Sequence, residues 1–259
     1  MRSRSAALAA VFGLLLLAGP GAHAQAPLQQ ALDAHGGLDT WASYGTVEYD
    51  FSLQIGDATR DDHHVFDLNR RRVRVEHADY TLGITDTRAW AAPSMDAYGY
   101  TAPPRFYGKA YTYLFSIPFV FSDPCVNVES VDQRRLQGTP YDVMKVTFEE
   151  GVGDTPRDVF YVYLNPDTHQ VRAALFSVTY RNPEVTRPIT GVVYEEWTTA
   201  GGLTVPRRAS MYGVSEDQTL QEKLGTFGYR DVTFRETTPE AGQFAMPEGA
   251  VRDTSLQAR

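Results

Sequence analysis

The sequence predicts a mainly β (α+β) protein: a curved antiparallel sheet or incomplete β-barrel with helices packed on the concave face. Three observations lead there. Val47, Tyr49, Phe51, Leu53 and Ile55 alternate with Glu48, Asp50, Ser52 and Gln54, the period-2 pattern of a half-buried strand. Further strand-like stretches follow one another through short turns, which joins them as an antiparallel meander and not as a parallel sheet with crossover helices. One aromatic segment with four-residue spacing interrupts them between Pro103 and Phe121.

The chain opens with Arg2 and Arg4, an apolar run from Ala6 to Ala18, and a break at Gly19-Pro20-Gly21. Ala22-His23-Ala24 then places small residues where a signal peptidase reads, so residues 1–24 are expected to be a signal peptide and Gln25 the mature N-terminus. The apolar run is short for a membrane span. The expected location is the periplasm, or the medium, after cleavage. Residues 25–251 are expected to form a single domain and residues 252–259 a loose tail.

The mature chain begins with a helical stripe. Leu28, Ala31, Leu32 and His35 fall at i, i+3, i+4 and i+7, and Gly36-Gly37 closes the helix. His35, on that stripe, reads as a core histidine that satisfies carbonyls. Leu38, Trp41 and Tyr44 predict one or two more turns. Strands are then expected at 47–55, 62–68, 71–77, 79–85 and 87–91, with Arg70-Arg71-Arg72 as a solvated strand start. Pro103-Pro104 opens an amphipathic helix whose sheet-facing residues are predicted to be Phe106, Tyr107, Ala110, Tyr111, Leu114 and Phe115, with Thr112 exposed. Pro118 ends it, and Phe119 continues the apolar surface. Seven strands follow at 127–133, 141–149, 158–164, 170–180, 190–198, 203–212 and 225–235. A phase slip between Tyr229 and Val232 predicts a bulge near Arg230-Asp231.

Composition bounds function. The chain carries a net charge of −8, and removing Arg2 and Arg4 with the leader leaves 22 basic against 32 acidic residues, or −10. Such a chain repels nucleic acid and anionic membrane surfaces, so no nucleic-acid partner is expected. Cys125, the sole cysteine, cannot form an internal disulfide and is expected to be buried. His63 and His64 point to opposite faces of a strand, and no histidine, cysteine or carboxylate set has ligand spacing, so no metal or other cofactor is expected. Neither G-x-S-x-G nor S-x-x-K occurs in the mature chain, and no glycine-rich phosphate loop follows a strand. Of each acidic pair, such as Asp61-Asp62 or Glu195-Glu196, alternation sends only one member inward. No catalytic residue is assigned.

The segment around the interrupting helix resembles a known family. Arg105-Phe106-Tyr107, Tyr113 through Val120 with Asp123-Pro124, Lys145 through Phe148, Gly151 through Pro156, the Trp197–Pro206 hairpin and Phe244 through Ala250 are similar to an exported bacterial family of unknown activity. The opening Ala34-His35-Gly36-Gly37-Leu38 with Trp41 resembles that of exported lipoprotein-carrier-like proteins. The broader similarity is to the outer-membrane lipoprotein carriers (LolA/LolB-like). That resemblance implies an incomplete barrel closed by helices over an apolar cavity, and a lipid or acylated ligand with a transient membrane or envelope partner. Phe106, Tyr107, Tyr111, Leu114, Phe115, Phe119, Tyr49 and Phe51 are the residues expected to wall or cover such a cavity. The chain is expected to be a monomer. Two alternatives stand beside the carrier: a structural or accessory envelope protein with a filled core, and an enzyme acting on an envelope component.

Overall fold

The computed structural model describes residues 20–151, 153–180 and 182–255. Residues 1–19, most of the expected signal peptide, lie outside the described residues. Helix α1 (Pro20–Ala34) and the short α2 (Leu38–Ala42) come first. Strands β1 (Thr46–Ile55), β2 (Ala58–Asp67), β3 (Arg72–Glu76), β4 (Thr81–Ile84) and β5 (Ala89–Ala92) form a meander. A one-turn helix, α3 (Met95–Tyr98), leads to α4 (Pro104–Phe115) and a 3-10 turn at Phe119–Ser122. Strands β6 (Val126–Leu136), β7 (Thr139–Phe148), β8 (Phe160–Leu164), β9 (Val171–Phe176), β10 (Thr190–Ala200), β11 (Leu203–Val214) and β12 (Leu220–Arg235) complete the meander, and β13 (Val251–Arg252) ends the chain's described structure. Among the described residues no helix is long and apolar enough to cross a membrane.

All 13 strands belong to one antiparallel sheet, in the order β13-β5-β4-β3-β2-β1-β12-β11-β10-β9-β8-β7-β6. The sheet stays open, with β13 and β6 at its edges. Its centre is the β1–β12 pair, where the two ends of the meander meet. There the alternation read from the sequence becomes burial: Val47, Tyr49, Phe51 and Leu53 are buried, and Glu48, Asp50 and Ser52 are half-buried on the other face. The predicted bulge is present, since Glu48 pairs with Thr233 while Asp50 pairs with Arg230, and Asp231 takes a φ of 52°.

α4 lies over β3, β4 and β5 on the inner face. Its close approach depends on Gly108, where a Cβ would sit 2.7 Å from Ile84 Cδ1. The buried stripe is Arg105, Tyr107, Gly108, Tyr111, Thr112, Leu114 and Phe115. The helix is therefore rotated from the predicted face. Phe106 and Ala110 lie half-buried on its flank, and Phe106 meets Tyr180 at a centroid distance of 4.9 Å. Thr112, expected outside, is buried and donates its hydroxyl to Gly108 O at 2.9 Å.

Three other expectations are corrected, those for Cys125, Arg72 and the strand over 170–180. Cys125 is exposed, because it occupies a left-handed turn (φ 66°) between the 3-10 segment and β6. Arg72 is not solvated but buried, donating to the fully buried Asp67 across the β2–β3 turn. The tail is tied at its start: Val251 and Arg252 pair with Ala91 and Trp90, and Asp253 accepts from the Arg105 amide at 2.9 Å. The strand expected over 170–180 stops at Phe176, where Asp158 takes over the backbone by accepting from Thr179 N at 2.7 Å.

His35 completes the core as expected, through strands as well as its own helix end. Gly36 (φ 105°) turns the chain there, with its Cα so near Gly202 that a Cβ would be 2.5 Å from the Gly202 carbonyl. His35 Nδ1 donates to Thr204 O at 2.8 Å, and Nε2 accepts from Val171 N at 3.2 Å. Its ring sits edge-on to Trp197 at 4.5 Å. This pairing uses the neutral ring, and burial lowers its pKa from 6.5 to about 4 despite the Thr204 carbonyl.

Two stability predictions follow from this packing. Between pH 6.5 and about 4 the unfolded chain binds a proton at His35 that the folded chain does not. Stability should fall by about 3 kcal/mol as pH drops through that window, and His35→Gln should flatten that part of the profile in urea melts. Phe115, fully buried against Tyr49 at 4.8 Å and Tyr229 at 5.0 Å, should cost about 3–5 kcal/mol when truncated to Ala. Phe106→Ala, on the flank, should cost clearly less in the same melts.

Candidate functional site

The inner face of β2 carries an uncommon row. Cross-strand register sets Arg60 opposite Leu53, Asp62 opposite Phe51 and His64 opposite Tyr49. Three ionisable side chains thus share the face that β1 fills with apolar ones, while Asp61 and His63 point the other way. His63 pairs outside with Asp50 at 2.9 Å.

Asp62, 4% exposed, is the centre of this row. It accepts hydrogen bonds from the hydroxyls of Tyr80, at 2.5 Å, and Tyr107. Burial alone would raise its pKa, but the hydrogen bonds from the two phenols oppose it, and the carboxyl lies below the usual range. The phenols move the other way: burial, then Asp62, raises both Tyr80 and Tyr107. His64, wholly buried, has its Nε2 4.0 Å from Asp62 Oδ2, too far for a hydrogen bond. Burial lowers its pKa in spite of that carboxylate, so the ring is neutral.

Arg60 closes the outer end of the row. Its guanidinium donates to the Tyr80 hydroxyl and to Tyr98 O, the latter at 2.6 Å. It also lies 4.6 Å from the Tyr100 ring centre, 5.0 Å from Tyr98, 5.1 Å from Tyr80 and 5.7 Å from Tyr107. Four tyrosines therefore surround one cation.

α4 covers this face and is tied to the sheet by hydroxyls. Tyr107 reaches Asp62, Tyr229 donates to Tyr111 O at 2.8 Å, and Tyr194 donates to Leu114 O at 2.8 Å. The last of these satisfies a carbonyl in the final turn, where no helical partner exists. At the other end Arg105 forks onto Asp154 with two bonds of 2.8 Å and donates to Thr85 O and Asp86 O. A carboxylate covered by two phenols under a helix fixes that helix in place.

The residues expected at a cavity wall come together here, with Phe106 set apart. Tyr49, Phe51, Tyr107, Tyr111 and Phe115 form one ring cluster, including Phe51–Tyr111 at 4.7 Å and Tyr49–Phe115 at 4.8 Å. Leu114 is buried beside them. Phe119 lies further along, stacked on Trp41 at 4.5 Å with the planes 4° apart. Phe227 and Tyr229 of β12 extend the cluster. Surface clefts of about 360 and 570 Å³ are lined by strands and turns, not by α4. Among the described residues no group of three potential metal ligands converges.

Sequence reading missed Arg60, Asp62, His64 and Tyr80. A signal was present. Once β1 and β2 are joined by the two-residue Gly56-Asp57 turn, the inward phase of β1 dictates that of β2, and Arg60, Asp62 and His64 fall on it.

The comparisons bear on the fold. A family of unknown function (DUF6503) matches residues 102–187, which contain α4 and strands β6 to β9. No curated protein matches the sequence. Among solved structures, a DUF1329 family protein from Desulfovibrio piger is similar at 9% identity and TM-score 0.46, over 86% of this chain and 97% of that one. A LolA superfamily protein from Nitrosomonas europaea is similar at 13% identity and TM-score 0.52, again over 86% of this chain and 97% of that one. The open 13-stranded sheet with α4 on its inner face is thus a LolA-like fold.

Proposed function

We propose that the chain is an exported envelope protein that binds or carries a lipid or lipid-modified ligand between the concave face and the α4 segment. One observation carries the reading. The inner face of an open sheet is a continuous aromatic surface, and a single helix covers it through a few polar ties. Tyr49 and Phe51 form the floor in this reading. Tyr107, Tyr111, Leu114 and Phe115 form the lid, with Phe106 and Phe119 at its margins. The LolA-like fold supports it, as does the leader-like sequence of residues 1–24.

In the structure the rings occupy one another's space, so an acyl chain needs α4 to lift from β3, β4 and β5. The hydroxyl ties from Tyr107, Tyr194 and Tyr229 would be released. Neutral hydrogen bonds cost about 0.5–1.5 kcal/mol each and those to a charge about 1.5–3. Burying about 14 methylenes of an acyl chain returns on the order of 10 kcal/mol. The exchange is favourable if the ligand replaces the ring contacts that are lost.

A second reading, an accessory envelope protein with a permanently filled core, is favoured by that same ring packing. Native mass spectrometry of the chain purified from the cell envelope separates the two. The carrier should hold a lipid adduct and take up an apolar fluorescent probe that acylated lipid displaces. Tyr111→Ala and Leu114→Ala should change probe affinity by several-fold while the exposed Lys223→Ala leaves it unchanged. A folded chain that takes up neither lipid nor probe would rule out the carrier.

A further inference from the structure

We propose, building on the lipid reading above, that the ligand received beneath α4 is a neutral lipid with a free hydroxyl group, and that Tyr49 and His64 recognise that hydroxyl.

Tyr49 and His64 are direct partners across the β1–β2 pair, so their side chains rise from the same face. Their ring centres are 5.2 Å apart, and both residues are fully buried. α4 lies over them: Phe115 stacks on Tyr49 at 4.8 Å, and Tyr107 sits edge-on to His64 at 6.1 Å. The other neighbours are apolar or already engaged. Phe51 lies 5.1 Å from the His64 ring, and Val75 is the partner of His64 on β3. Tyr229 lies edge-on to Tyr49 at 5.1 Å and donates its hydroxyl to Tyr111 O.

Three hydrogen-bonding atoms are left over at this place: the Tyr49 hydroxyl and both ring nitrogens of His64, each buried and without a partner among the described residues. Buried polar groups left in that condition are costly and rare. His64 Nε2 is 4.0 Å from Asp62 Oδ2. That carboxylate favours the tautomer with its proton on Nε2, which leaves Nδ1 as an acceptor. The floor therefore presents one O–H donor and one nitrogen acceptor. A ligand hydroxyl matches both, accepting from Tyr49 and donating to Nδ1. An ester carbonyl can only accept.

Charged headgroups fit less well. Asp62 neighbours His64 on the same face of β2 and is held as a carboxylate by Tyr80 and Tyr107. A ligand carboxylate or phosphate placed at His64 would face that like charge. Arg60, the cation of the row, stands beyond Asp62 and is turned to the Tyr80 hydroxyl and Tyr98 O. A ligand ammonium would leave water for a site walled by rings, where Asp62 already holds two donors.

Displacement of an apolar fluorescent probe from the purified chain tests this. The competitors are dodecanol, dilauroylglycerol, methyl dodecanoate, dodecanoate and dodecylammonium at about pH 8, where the acid is ionised and the amine protonated. Dodecanol should displace the probe at about a tenfold lower concentration than either charged competitor, and at a several-fold lower one than the ester. Dilauroylglycerol ahead of dodecanol would make an acylglycerol the source of the hydroxyl, and the reverse order a simple long-chain alcohol; both support the recognition. Tyr49→Phe removes one unpartnered oxygen, so melting temperature should hold or rise, while dodecanol affinity should fall several-fold more than probe affinity. His64→Phe should bring dodecanol and methyl dodecanoate together. If the probe enters but dodecanoate or dodecylammonium competes as well as dodecanol, or if Tyr49→Phe weakens probe and alcohol equally, the hydroxyl recognition is overturned and the lipid reading stands. If no probe enters the folded chain, both are overturned.

Discussion

The burial of an ionised carboxylate at Asp62 sets much of what surrounds it. Removing a carboxylate from water costs several kcal/mol, and only close donors make that tolerable. Tyr80 and Tyr107 are those donors. Because Tyr107 belongs to α4, the carboxylate fixes the helix's rotation as well as its position. With Tyr107 pointing down, Tyr111, Leu114 and Phe115 follow on the same face, and Phe106 is turned to the flank. Hydrophobicity alone ranks Phe106 above Thr112 for burial. The polar anchor, with Gly108 allowing close approach, reverses that order.

Most of the sheet was legible in the sequence, because alternation and turn residues state it directly. β1 shows this in its cleanest form, and the bulge at Asp231 is visible as a slip in the same alternation. The site was legible in part. The aromatic residues of α4 are apparent from four-residue spacing, whereas the Asp62 cluster depends on cross-strand register and on Tyr80, which arrives from a turn. Single-residue properties hide such a cluster: Asp61-Asp62 and His63-His64 look alike until a phase is chosen. Arg72 and Cys125 were misread for a related reason. Their burial is decided by the turn that precedes or contains them, not by their chemical type.

Strands β8 to β10 differ from the first meander because they pack apolar side chains on both faces. Phe160, Val162 and Leu164 of β8 pack into the main core, while Tyr163, with Leu175 and Val193 on β9 and β10, joins a smaller cluster on the opposite face. Leu136 on β6, Val143 on β7, Ala173 on β9 and Val214 on β11 complete that cluster. The β11–β12 turn bends over it, and Arg134 of β6 bonds to Gln218 at the tip. This explains why β8 to β10 read as nearly continuous apolar runs such as Val192-Val193-Tyr194.

The two halves therefore offer different resistance to opening. On the β8–β10 side, movement would expose apolar surface on two faces. On the α4 side, it would break a few hydroxyl ties and separate rings. Some of that loss is already offset. The Tyr49 hydroxyl and both ring nitrogens of His64 are buried without hydrogen-bond partners among the described residues. Each such group costs about 1–3 kcal/mol while the core is closed, a cost relieved when water or a polar ligand group reaches it. These groups lie beneath α4, beside Phe115 and Tyr107. Three of the unsatisfied buried polar atoms among the described residues thus lie in the floor that α4 covers, so that floor is the part of the core where closure is least complete in hydrogen bonding.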